Sequence, residues 1–204
     1  MHQCVWEPLF ILNYETGEIE PWLGKSFVAD QSLKTWTLKI REGVTWADGE
    51  AFDADDIVFT IQTLLNDETQ SLGEAANIQQ WVESVERIDG LTVQFNLKSP
   101  NPRFQLDYFS VKVGGSAIIL PQHVWQGKDP FTFTFYDVDK GWPFGTGAYK
   151  LVQAAENEFV YDRRDAWWGS ETGFMDVPVP KRLVWIVSGA EESRAFLAAD
   201  GQLD

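Results

Sequence analysis

TWTLKIREGVTWADGEAFDADDIVFTIQTLL, residues 35–65, is the stretch whose reading decides the fold. Trp36, Leu38 and Ile40 alternate with Thr35, Thr37 and Lys39, the period of a strand with one buried face. Val44 and Trp46 lead into Asp48-Gly49, a tight-turn signal. Asp53 stands where a helix N-cap belongs. Asp55 and Asp56 fall in the first turn, where carboxylates meet unpaired backbone N–H groups and the positive end of the helix dipole. Ile57, Val58, Ile61, Leu64 and Leu65 then recur at helical spacing, so the helix has one apolar face.

Outward from this unit, residues 5–11 read as a short apolar strand and 13–17 as a turn. Residues 66–73 are polar and turn-like, and 74–81 read as a short second helix. Residues 82–88 and 91–97 flank Asp89-Gly90 as a hairpin. Leu91, Val93, Phe95 and Leu97 share one face, the pattern of a sheet covered on one side. Pro100 and Pro102 punctuate a helix over 103–109. The aromatic and acidic run 128–141 reads as a strand-rich loop or an ordered insertion. A hairpin follows over 149–152 and 158–161, then a strand over 182–187 and a helix over 189–199.

Several blocks carry a resemblance, in order along the chain. REGVTWADGEAFDADDIVF (41–59) looks like the signature of the family 5 extracellular solute-binding proteins, the receptors of peptide, oligosaccharide and nickel ABC importers. Residues 18–24 resemble that family's G-x-(I/L)-x-P-W-L-A, with Gly24 in place of Ala. Residues 82–100 follow its I-x-x-V-E-x-x-D-x-x-T-V-x-F-x-L-x-x-P wording. Residues 119–125 are similar to I-(L/V)-P-(K/E)-H-x-(W/F), 145–149 to G-T-G-P-(Y/F) with Ala148 for Pro, and 162–169 to R-N-x-x-Y-W-G. Gly201 to Asp204 looks like the family's G-x-(L/I)-D, after which members continue into a second lobe.

Composition sets limits on function. Thirty-one acidic against 16 basic residues give a net charge of -15, which opposes nucleic acid and anionic membrane surfaces. No apolar run reaches the roughly 20 residues of a membrane-spanning helix, and none resembles a signal-peptide core. Cys4 is the one cysteine, so no intrachain disulfide forms, and it reads as a small buried hydrophobe. His123 has no second His, Cys or paired acid at ligand spacing and reads as structural. Gly145-Thr146-Gly147 is followed by a strand instead of a helix, which opposes a phosphate loop. Trp6, Trp22 and the pair Trp167-Trp168 read as packing in preference to sugar platforms.

The expectation is therefore a mixed α/β (α+β) fold of the type II periplasmic-binding-protein kind, first lobe only and incomplete. That lobe covers 1–204, stops before the second lobe, and contains a subregion of strands and helices over 36–180. Residues 5–11 and 182–187 are expected to lie together in related sheets. The resemblance implies a hinged receptor, expected as a monomer, that captures oligopeptides or a similar solute outside the cytoplasmic membrane and delivers it to ABC permease subunits. It implies a periplasmic or extracellular site, with a lipoprotein tether for the full-length protein open. No cofactor, metal or nucleic acid is called for. Ten Trp keep an oligosaccharide ligand beside peptide. A glycoside hydrolase is the competing enzyme class, but Asp53, Asp55 and Asp56 are explained by helix capping, and Gly114-Gly115-Ser116-Ala117-Ile118 lacks the second Gly of a nucleophile elbow. Candidate ligand contacts are loop residues at element ends: Gln70, Tyr108, Gly114, Gly115 and Ser116.

Overall fold

The quoted stretch folds as its periodicity predicts. β4 (Thr35–Ile40) buries Trp36, Leu38 and Ile40, and α1 (Ala54–Leu65) buries Ile57, Ile61 and Leu64. The computed structural model describes residues 4–111, 117–186 and 191–203. Between strand and helix, Asp48-Gly49 makes the turn of a small loop closed by a bridge from Thr45 to Ala51.

Three sheets organise the chain. β3 (Gly24–Ala29), β4, β5 (Val82–Asp89) and β6 (Thr92–Leu97) form an antiparallel sheet in the order β3-β4-β6-β5. Trp36 lies opposite Phe95 and Leu38 opposite Val93, so the inward faces of two strands line up. α1 packs on β5 and β6, and α2 (Ala75–Trp81) packs on α1 and β5. A second sheet places β1 (Phe10–Leu12) between β2 (Ile19–Pro21), antiparallel, and β7 (Ser110–Val111), parallel. The third is an antiparallel sheet of β8 (Tyr149–Ala154), β9 (Glu158–Arg163) and β10 (Arg182–Ile186), with β9 in the middle.

Phe27 joins the first two sheets. Its ring lies 6.2 Å from Phe10, 5.1 Å from Trp36, 5.3 Å from Phe95 and 5.4 Å from Phe109, and α3 (Phe104–Tyr108) adds Phe104 at 5.9 Å. Each such ring contributes roughly 1.5–3 kcal/mol on burial, which makes this aromatic cluster a principal source of cohesion.

Two expectations need correction. The strand at the start of the chain is shorter than residues 5–11, because the carbonyl of Val5 is engaged by the amide of Gly147 (2.8 Å) and not by a sheet neighbour. β1 and β10 also belong to different sheets. The start of the chain is tied instead to Gly147 by that hydrogen bond and to Trp168 through Glu7. Cβ atoms at Gly145 and Gly147 would collide with the carbonyls of Val5 and Cys4, so the G-T-G segment is glycine-rich because another backbone crosses it. Trp167 and Trp168, the latter opening α5 (Trp168–Glu171), are buried as the packing reading expects, whereas Cys4, Trp6 and Trp22 are half-buried against the core. Residues 128–141 form no strand. Phe133 and Phe135 pack edge-on to Trp125, which closes α4 (Gln122–Trp125). α6 (Glu191–Ala199) ends the described helices, and residues 187–190 of the expected strand and helix lie outside the described residues.

Candidate functional site

The loop after α1 is built around Asp67. Its carboxylate accepts from the amides of Thr69 (3.0 Å) and Leu72 (2.8 Å) and from Thr69 Oγ1 (2.6 Å). Gln79 of α2 closes the loop from the other side, donating Nε2 to the carbonyls of Leu64 (2.8 Å) and Asp67 (2.7 Å). Gln70 rides on this frame with φ +54°, and its Nε2 reaches Gln79 Oε1 at 2.8 Å. A left-handed backbone at a non-glycine residue is a local cost that the surrounding hydrogen bonds hold in place.

Tyr108 ends α3, half-buried beside Phe104 at 5.7 Å, and burial pushes its hydroxyl up from its ordinary value. Its carbonyl accepts from Ala117 N at 2.9 Å, so the chain is anchored at 117, immediately after Gly114, Gly115 and Ser116. Those three residues lie outside the described residues. Gln70 and Tyr108 both border α2, through Gln79 and Trp81 respectively. Beside them an apolar hollow of about 370 Å³ opens between α1 (Thr63, Leu64), Leu72 and the segment Ala117 to Leu120, and neither expected residue lines it.

One carboxylate does more than its sequence position indicates. Asp53 caps α1, accepting from Asp55 N at 2.8 Å, and Asp56 completes a capping box by accepting from Asp53 N at 3.1 Å. Asp56 also accepts from the Trp46 indole (2.9 Å) and from Gln122 N (2.8 Å), which fastens α4 to the start of α1. Burial raises its pKa against these hydrogen bonds. Beside it, His123 Nε2 lies 2.8 Å from Asp48 Oδ2 and its ring stacks on Phe144, which fits the structural reading of His123.

Glu7 was not a sequence candidate. Its Oε2 accepts from Trp168 Nε1 at 2.7 Å and its Oε1 from Trp22 Nε1 at 3.1 Å. The residue as a whole is half-buried, yet its carboxyl group is enclosed, and this desolvation raises its pKa to about 7 although the indoles favour the charged form. Its one sequence signal is an acid set among Val5, Trp6, Pro8 and Leu9.

Residues 18–204 match the family described as bacterial extracellular solute-binding proteins, family 5 Middle. The chain belongs to that family. Among relatives, the nickel-binding periplasmic protein of Escherichia coli is 27% identical over 98% of this chain and 35% of its own length. The dipeptide-binding protein of the same organism is 25% identical over 76% of this chain and 31% of its own length. A solved periplasmic oligopeptide-binding protein from Thermotoga maritima superposes with a TM-score of 0.79 at 27% identity, covering 98% of this chain and 35% of that one. In a second crystal structure it is bound to mannohexaose. This family 5 chain thus spans about a third of the length of these relatives, with the mixed α/β architecture expected of part of a periplasmic binding protein.

Proposed function

We propose that this chain is part of the solute-binding component of an ABC importer, which captures an oligopeptide or similar solute outside the cytoplasmic membrane and hands it to a permease. The observation that carries this reading is the family match over 18–204. Residues 1–204 are read as belonging to the first lobe, with 36–180 as a subregion within it. The outer edge of β10 supports that reading. It pairs with no strand among the described residues and leaves Val184, Trp185 and Ile186 exposed, a surface suited to further chain of the same protein. Gln70, Tyr108 and Gly114 to Ser116 are proposed as ligand-facing. The left-handed backbone at Gln70 and the partial exposure of Tyr108 support that assignment.

The reading is of a binder and not an enzyme, acting in the periplasm or at the cell exterior, tethered or free, and monomeric. Oligosaccharide is the second ligand class, favoured by the mannohexaose bound to the Thermotoga relative. Thermal shifts of the full-length protein with mixed oligopeptides and with cello-oligosaccharides separate the two, and a response to neither sinks both. The 204-residue chain alone is expected to bind weakly or not at all, for want of a closing partner lobe. Micromolar binding to it by calorimetry would refute this division of contacts, and turnover of a chromogenic glycoside would restore the enzyme class.

A further inference from the structure

Away from these loops, a cleft of about 540 Å³ opens between the Asp48 turn, α4 and the segment Lys140 to Phe144, with Lys150 and Arg164 along its far side. Arg164 is the unusual member. It is half-buried, and its Nη1 donates to the carbonyls of Gly147 (2.9 Å) and Thr146 (3.4 Å). Its Nε and Nη2 make no hydrogen bond among the described residues, and no carboxylate there comes within ion-pairing distance. Burial lowers its affinity for its proton, opposed by the more distant charges of Glu7, Glu171 and Asp48. A cation drawn partly out of water without a paired anion is costly, and a bound anion offsets that cost.

A role as a brace does not account for the charge. Only Nη1 meets the carbonyls of Gly147 and Thr146, and an uncharged amide suffices to donate to a carbonyl. The rest of the cleft is arranged around the guanidinium. Lys150 is exposed on β8 and supplies a second cation. Lys140 is held by Asp137 at 2.8 Å and lies over the Trp142 ring. Of the acids, Asp48 is turned to His123 and Asp165 stands exposed at the rim. Trp142 and Phe144 form an aromatic wall. In a chain of net charge -15 the cleft thus sets two cations without a close ion pair among the described residues, Arg164 and Lys150, against an apolar surface.

We propose that this cleft binds a small aromatic carboxylate, its carboxylate paired with Arg164 and Lys150 and its ring laid against Trp142. The fork of Arg164 offers the two-pronged geometry that a carboxylate accepts. The site is separate from the proposed solute contacts and stands whichever solute is transported.

Benzoate, with benzamide as its uncharged counterpart, tests the idea on the full chain by nuclear magnetic resonance of the indole N–H signals. The Trp142 signal is identified by its loss in Trp142→Phe. Benzoate is expected to shift it saturably, with a dissociation constant of about a millimolar, as suits so small a ligand. Benzamide should bind about tenfold more weakly, and Arg164→Gln should weaken benzoate by about tenfold or more, the loss of a charge-assisted pair. Lys150→Gln, an exposed change, should weaken it about twofold to fivefold, and added salt should act in the same direction. Equal binding of benzamide, unchanged binding in Arg164→Gln, or shifts confined to other indoles overturns the proposal. If Arg164→Gln disturbs the fold, indifference to both Lys150→Gln and salt overturns it instead. None of these results bears on the transport reading, which is tested on different residues with different ligands.

Discussion

Glu7 sits between two indoles with a pKa of about 7 against an ordinary 4.5, so the folded protein holds a proton there that the unfolded chain releases. Its contribution to stability is therefore fully present below pH 4.5 and is lost as pH rises through about 7. The difference amounts to about 3 kcal/mol at its limit. Glu7→Gln is expected to remove this dependence. The melting temperature of wild type minus that of the variant should fall between pH 4.5 and 7.5, and a flat difference contradicts the enclosed carboxyl group. Gly147→Ala, which drives a methyl into the carbonyl of Cys4, is expected to cost about 2 kcal/mol or more in urea denaturation. The glycine was legible as something other than a phosphate loop. Its true reason, the backbone of Cys4 and Val5 crossing it from about 140 residues earlier, involves no local pattern. Glu7 was hidden for the same reason, since its indole partners lie at positions 22 and 168.

Among the elements, α1 shows how far local rules reach. Its cap, first turn and apolar face were all readable because each depends on residues within one or two turns. Asp53→Ala is expected to cost about 1 kcal/mol, the usual loss of a side-chain cap. Asp56→Ala is expected to cost about 3 kcal/mol, because it strips acceptors from Asp53 N, the Trp46 indole and Gln122 N together. Urea midpoints of the two variants check the order, and equal costs would mean that the ties to Trp46 and α4 contribute nothing. β3 was not legible. A register shift between Gly24 and Ser26 breaks the two-residue alternation that reveals β4 and β6. β7 has two residues, too few for any period, and residues 128–141 have strand-like composition but spend their aromatic rings on Trp125 and Trp142. Of the candidate site, the polar loop around Gln70 was visible from its composition. The hollow beside α1 was not, since its walls come from segments about 60 residues apart.

For the whole molecule, the apolar surface on β10 matters most. Val184, Trp185 and Ile186 are each roughly half exposed, and Phe196 on α6 is 74% exposed. A strand edge of this kind favours pairing with another chain. The 204-residue chain is therefore expected to self-associate at tens of micromolar in sedimentation velocity, and Trp185→Lys should shift it toward monomer, whereas a longer form of the protein should stay monomeric throughout. The expectation that the two ends of the chain share related sheets failed at this scale. The family wording recorded which segments recur and in what order, but not which strands pair, and pairing across more than 160 residues leaves no mark in local periodicity.

The bond from Trp168 to Glu7 spans 161 residues, so it also has a bearing on time. A chain leaving the ribosome presents Glu7 161 residues before Trp168. Until then the segment around Glu7 has only its nearer partners, Trp22 and Phe27 among them, and one side of it stays open to any holding factor that meets it. The same junction thus forms only after the nearer contacts of that segment are available.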